Sequence, residues 1–410
     1  MTPWFNPFFA VIRVLLLDMN FRRNILKRFT RNSAVIDELL DYNRNHFSTK
    51  ALRRPLCLPP DDEPSVGIWT AYKKESEEKD ALSALQTHLP QFHFPIREGV
   101  SKTDKYRAAV LQGKPIPEVS ETDPIVFDNP EALELCIHQT PAGRIPLIIS
   151  CERSDFVRLV QALAGKNEPI SVPDSMGALT IGNYSNWERI RQLKAEWQQN
   201  NPLDFTGEGW NARFKEIQQD KSLYQDRFIL LSNGPYSAVC AHDAGFSESE
   251  WQENSLIIRR DHECTHFFTR RILGSMKNRL MDELMADYMG ICGALGTYDA
   301  ELFLRFMGLE NHPEYRSGGR LENYRGEAPL SENAFRVLQE LAVRSAKSLE
   351  AVHTSLTNNL TTFNQRIILV AAMSLLSIEE LASEDGTARL ENAYGSVKKT
   401  IRFSGNVSFA

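Results

Sequence analysis

The residues best suited to chemistry are two histidines four apart with an acid between them: His262-Glu263-Cys264-Thr265-His266. Four residues is just over one helical turn, so on a helix both imidazoles project from one face. Both can then reach a single Zn²⁺, whose bonds to ring nitrogens are about 2.0–2.1 Å. Glu263 is rotated about 100° from His262 around the axis, outside the ligand plane. There it can take a proton from a water at the metal's open position. Cys264 points about 200° from His262 and is expected in the core.

A catalytic zinc site typically takes three protein ligands and a water, so a third donor is needed. An extended histidine motif is ruled out, because Thr269 and Ile272 stand where Gly and His would be required. Gly274-Ser275-Met276-Lys277 reads as a break, with Gly274 ending the first helix. Residues 278–295 read as a second helix, antiparallel to the first. Glu283 lies about 8 residues past the middle of this turn and His266 about 9 before it, so they return to nearly the same height. Glu283 is therefore the expected third ligand, with the adjacent Asp282 as its rival. Asp287, one turn further, is placed to hydrogen-bond the second ring nitrogen of a ligand histidine and fix its tautomer.

The run Asp282-Glu283-Leu284-Met285-Ala286-Asp287-Tyr288-Met289-Gly290 resembles the second-helix segment of the glutamate zincins, thermolysin and its relatives. Together with the histidine motif, the resemblance covers residues 255–296. It implies that Glu283 is a metal ligand, that Asp287 supports a ligand, that one Zn²⁺ is the cofactor, and that peptide or protein substrates are hydrolysed with Glu263 as general base. Sixteen residues separate His266 from Glu283, fewer than that family usually shows. The family places a His or Tyr donor beyond the metal helices, often with an Arg on the substrate. The polar loop His312–Arg325 offers His312, Tyr315, Arg320 and Tyr324, of which Tyr324 and Arg320 are the expected catalytic donors. The family also binds extended peptide along a sheet edge. That suggests the strand Arg227–Ser232, or the turn Asn233–Ser237 after it, as a border of the cleft; an interior strand is the equal alternative.

These residues need elements to hold them. The expected fold is α+β: a zincin-like helix pair beside a small mixed sheet, with a mostly helical C-terminal region. Three segments are expected. Residues 1–120 form a helical N-terminal region with a Pro-rich linker at 55–64. Residues 121–252 carry the sheet, and residues 253–410 carry the metal helices and the helical remainder. Within the second segment Leu133–His138, Ile145–Cys151 and Ala178–Ile181 read as strands and Ser154–Leu163 as a helix. Ser185 with Glu188 reads as a capping box opening a helix to Gln199. A single charged helix is expected from Ala71 to His88. His88 and His93 flank Pro90 with no carboxylate or cysteine beside them to suggest a ligand set. Ser331 reads as the cap of a helix to Asn358, and Thr361–Ser383 as a further helix whose apolar middle, Ile367–Leu376, is core.

At 410 residues with 42 % apolar and 24 % charged residues, the chain has the composition of a globular protein with room for two or three domains. A net charge of −6 argues against nucleic-acid partners. Six cysteines without paired spacing suggest a reducing, cytoplasmic setting. Trp4–Leu17 is apolar but interrupted by Arg13 and followed by Arg22, Arg23, Lys27, Arg28 and Arg31. That charge order is the reverse of a secretory signal, and the run is too short to span a bilayer. A helix docked on the body is expected, with membrane association of this segment as the alternative. Beyond peptide hydrolysis, two other functions fit: a non-catalytic binding or regulatory protein on the same scaffold, and a zinc hydrolase of a non-peptide amide.

Overall fold

The computed structural model describes residues 19–115, 123–203, 207–326 and 328–404; the apolar segment Trp4–Leu17 lies outside them. The fold is α+β, with helices in the majority and a small mixed sheet. It divides into two compact units, Pro59–Glu263 and Met1–Leu58 with Cys264–Ala410. These boundaries are not the expected breaks after residues 120 and 252. One of them falls inside a continuous helix. The other arises because part of the expected linker, Leu56–Leu58, is a strand lying parallel to Ile401–Phe403. Local composition carries no sign of a pairing so distant in sequence.

The Pro59–Glu263 unit is built on a four-stranded sheet: β1 (Glu134–Thr140), β2 (Gly143–Ser150), β3 (Ala178–Ser185) and β4 (Gln225–Ser232). The spatial order is β1-β2-β4-β3. β1 and β2 are an antiparallel hairpin, β2 and β4 run parallel, and β3 returns antiparallel to β4. Thus β4 is interior, and β3 is the edge. Alternate residues of β4 face opposite sides. Phe228 and Leu230 join a core with Ile148, Phe156, Leu159, Trp69 and Tyr72. Ile229 and Leu231, facing the other way, are fully buried as well. The helices over that core are α1 (Val66–Glu78), α2 (Ala81–His88) and α3 (Arg153–Leu163). The single helix expected over Ala71–His88 is two, because Asp80 turns extended and its carboxylate caps the second at Ser83. At the end of β3, Asn186 rather than Ser185 caps α4 (Trp187–Asn200), accepting from the Glu188 N–H.

The long helix α5 (Glu248–Ile272) crosses from one unit into the other between Glu263 and Cys264. Its start is fixed by a capping box, in which the Ser247 N–H donates to the Glu250 carboxylate and the Glu250 N–H to the Ser247 hydroxyl. Acidic residues occupy its first turn and Arg270 and Arg271 its last, complementing the helix dipole. It ends as expected at Gly274, whose φ of +69° suits glycine.

In the other unit α6 (Leu280–Leu295) is the central element, with every residue from Leu284 to Cys292 buried. A helix apolar on all sides belongs inside a protein. Its three acids, Asp282, Glu283 and Asp287, are therefore conspicuous. Helices Glu332–Ser355, Phe363–Met373 and Gly386–Val397 complete this layer. Ser331 caps the first of them through the Ala334 N–H. The second, expected to run to Ser383, breaks after Met373, but Ile367–Met373 is buried core. Among the described residues, no helix is long and apolar enough to cross a membrane.

Candidate metal centre

His262 and His266 lie on α5, and Glu283 lies in the first turn of α6. One ligand atom from each falls within 4.8 Å of the other two, and all three residues are buried. Nε2 of His266 is 3.5 Å from Oε1 of Glu283. Ligands bonded at about 2.0–2.2 Å with tetrahedral angles stand roughly 3.4 Å apart, so this pair already has the spacing of a zinc edge. The donor set suits the ion chemically as well. Two neutral imidazoles and one carboxylate form a common catalytic zinc set, and a divalent cation offsets the cost of burying an ionised glutamate. The three residues expected as ligands are thus together and could hold a metal ion.

Several residues of the site are held by neighbours. The Tyr236 hydroxyl is 2.9 Å from Nδ1 of His262. Thr180, on edge strand β3, donates its hydroxyl to Oε2 of Glu263 at 2.8 Å. The Tyr324 hydroxyl bonds Glu283, and burial of that hydroxyl pushes its pKa well above the ordinary tyrosine value. Arg320 forms an ion pair with the fully buried carboxylate of Asp287. Tyr324 and Arg320 share a short 3₁₀ helix, Arg320–Tyr324, which places both against carboxylates of α6. The other two loop candidates lie elsewhere: His312 contacts Glu340, and the Tyr315 hydroxyl donates to the Gly319 carbonyl.

Asp282, the rival third ligand, accepts the backbone N–H groups of Lys277 and Arg279, and so caps the turn before α6. Burial, together with the charge of Glu283, raises its pKa to about 6. Cys264 is buried, and none of the six cysteines is in a disulfide.

Sequence reasoning missed Thr180, Tyr236 and Arg259. Thr180 had no signal, since a threonine in a strand is ordinary. Tyr236 lies in the Asn233–Ser237 turn expected to border the cleft, and that turn does reach the site. Strand β4 before it is interior. Arg259 stands one turn ahead of His262, where its guanidinium holds the carbonyls of Ser232, Gly234 and Pro235.

The sequence matches the model of a family of unknown function, DUF7005, over residues 24–385. The chain belongs to this family. The matched stretch includes the residues of the site, from Thr180 to Tyr324. No curated protein and no solved structure matches the chain.

Proposed function

We propose that the protein is a zinc-dependent metallohydrolase of peptide bonds. The observation that carries this reading is the buried convergence of His262, His266 and Glu283, with Glu263 beside the histidines on the same helix. His262, His266 and Glu283 would hold one Zn²⁺. When bound, the ion supplies Lewis acidity toward a carbonyl oxygen and lowers the pKa of water. Glu263 accepts the proton of the attacking water and delivers it to the leaving amine. Thr180 restrains one oxygen of that carboxylate, so the other is presented for proton transfer. Tyr324 and Arg320 act on Glu283 and Asp287, orienting the carboxylates of α6.

Peptide is favoured as substrate because β3, which carries Thr180, is a sheet edge. An edge strand can pair with any extended chain through backbone hydrogen bonds. The six cysteines, none of them in a disulfide, support a reducing compartment such as the cytoplasm. The test is a peptide library presented to zinc-loaded protein and to Glu263→Gln. Cleavage by the parent, abolished by chelator and absent in a Gln variant that still holds zinc, is the expected result. Tight peptide binding without cleavage by the parent would replace the enzyme with a binding protein.

A further inference from the structure

Three helix ends meet at Tyr42. It closes the helix Ser33–Tyr42, whose Val35, Ile36, Leu39 and Leu40 are buried, and is itself only 6 % exposed. The last carbonyls of a helix have no partner within it. That of Tyr42 accepts from the guanidinium of Arg279, the N-cap residue of α6, and a cation suits a helix C-terminus. Arg279 also lies 5.2 Å from the centre of the Tyr42 ring, over its face, and donates to Nε2 of His46 at 2.8 Å.

The Tyr42 hydroxyl serves the other two ends. It donates to the carbonyl of Tyr324, the last residue of the 3₁₀ helix Arg320–Tyr324. The direction of that bond is fixed, because a carbonyl oxygen only accepts. The same hydroxyl accepts from the backbone N–H of Leu280, the first residue of α6. One turn before Tyr42, the Glu38 carboxylate accepts from the Ser331 hydroxyl at 2.7 Å and from the Ser331 N–H. Residues 38 and 42 share a face of their helix, so that face is fastened at two points to the stretch 324–331. Glu283 stands where the joined segments meet. It lies three residues beyond Leu280 in α6, and the Tyr324 hydroxyl donates to its carboxylate.

We propose that Tyr42 is a positioning residue for Glu283: by joining the Leu280 N–H to the Tyr324 carbonyl, its hydroxyl sets the Tyr324 side chain against the Glu283 carboxylate. An N-terminal helix with no chemistry-bearing motif of its own thereby acts on the third ligand of the candidate metal centre. The placement rests on these contacts alone; its effect on metal binding rests on the function proposed above.

The first test needs no metal. The full-length, metal-free protein is labelled with ¹³C at the tyrosine Cζ atoms. Loss of a signal in Tyr324→Phe assigns Tyr324, and Glu283→Ala marks where that signal lies with the bond gone. Tyr42→Phe keeps the ring that Arg279 covers and removes only the hydroxyl. It should move the Tyr324 signal toward its place in Glu283→Ala. Arg279→Gln, which frees the Tyr42 carbonyl and leaves the hydroxyl, should move it the same way. A Tyr324 signal unmoved in Tyr42→Phe overturns the inference whatever zinc does; should that variant not fold, the same reading of Arg279→Gln decides. The second test is competition for Zn²⁺ against a chelator. Tyr324→Phe should bind about 10–100-fold more weakly than the parent, as for loss of a ligand's partner, and Tyr42→Phe about 10-fold more weakly. Because Tyr42 acts through Tyr324, the double variant should bind no more weakly than Tyr324→Phe. Losses that multiply would mean a general loosening and would overturn the inference. A parent that takes up no zinc while the Tyr324 signal moves as expected would instead remove the proposed function and leave the placement of Glu283 standing.

Discussion

Thr180 and Glu263, 83 residues apart in sequence, share a hydrogen bond of 2.8 Å from hydroxyl to carboxylate. A strand edge thereby restrains the residue proposed as general base. Thr180→Val keeps the volume and removes the donor. It should lower kcat about 10-fold while KM and zinc content stay near the parent's, because the bond orients Glu263 and touches no metal ligand. Steady-state kinetics with parallel metal analysis check this, and an unchanged kcat would remove Thr180 from the site.

Glu283 and Asp282 are neighbours with different tasks. Glu283 faces His266, whereas Asp282 caps the turn. Glu283→Gln should weaken Zn²⁺ binding by at least the roughly 10–100-fold expected for losing an outer partner. Asp282→Asn should lower the denaturation midpoint yet leave zinc uptake nearly unchanged. Competitive titration against a zinc chelator distinguishes them; the reverse ranking would make Asp282 the ligand.

The Arg320–Asp287 pair is buried, with the arginine side chain 14 % exposed and the aspartate 0 %. Replacing Arg320 with Met strands the carboxylate, and breaking a buried pair costs about 3–5 kcal/mol. Urea unfolding of Arg320→Met should show a loss of that order, and Asp287→Asn in the same chain should restore part of it. A double variant no more stable than Arg320→Met would mean that the two residues do not act as a pair.

His88 lies between two acids, 2.7 Å from Glu188 through Nδ1 and 2.7 Å from Glu75 through Nε2, and it stacks on Tyr72. Burial opposes the imidazolium, but the bonds to Glu188 and Glu75 outweigh it, so the pKa rises. Hydrogen bonding to His88 lowers the pKa of Glu188, and bonds to Lys79 and His88 lower that of Glu75. A histidine raised in the folded state stabilises it fully below the ordinary value of about 6.5 and loses that contribution as pH rises through the raised value. The two acids contribute above the ordinary carboxylate range and lose their share as pH falls through their lowered values. The clip across α1, α2 and α4 is therefore strongest between those limits. Stability measured against pH should fall on the alkaline side of this window in the parent, and His88→Gln should flatten that fall. An identical slope in both proteins would contradict it.

Much of the local order was legible in the sequence. The pair His262 and His266, the Gly274 stop and the Ser331 cap depend on residues a few positions apart, and their physics is local. The register that brings Glu283 back to His266 needed only the helical rise and the length of the turn. Long-range relationships had no such signature. No pattern around Thr180 or Tyr236 points to α5, and nothing near His88 announces Glu188, a hundred residues on. Leu56–Leu58 reads as linker because its partner, Ile401–Phe403, lies near the other end of the chain. At Asp80 and Asn186, a neighbouring side chain capped a helix where a different boundary had been expected.

The decisive measurement is the metal content of the purified full-length chain after zinc loading and removal of free metal, alongside His262→Asn and Glu263→Gln. One zinc per chain in the parent and in Glu263→Gln, and little or none in His262→Asn, is the expected result. A parent that retains no zinc, or a His262→Asn variant that retains as much as the parent, would contradict the metal centre and the hydrolase built on it.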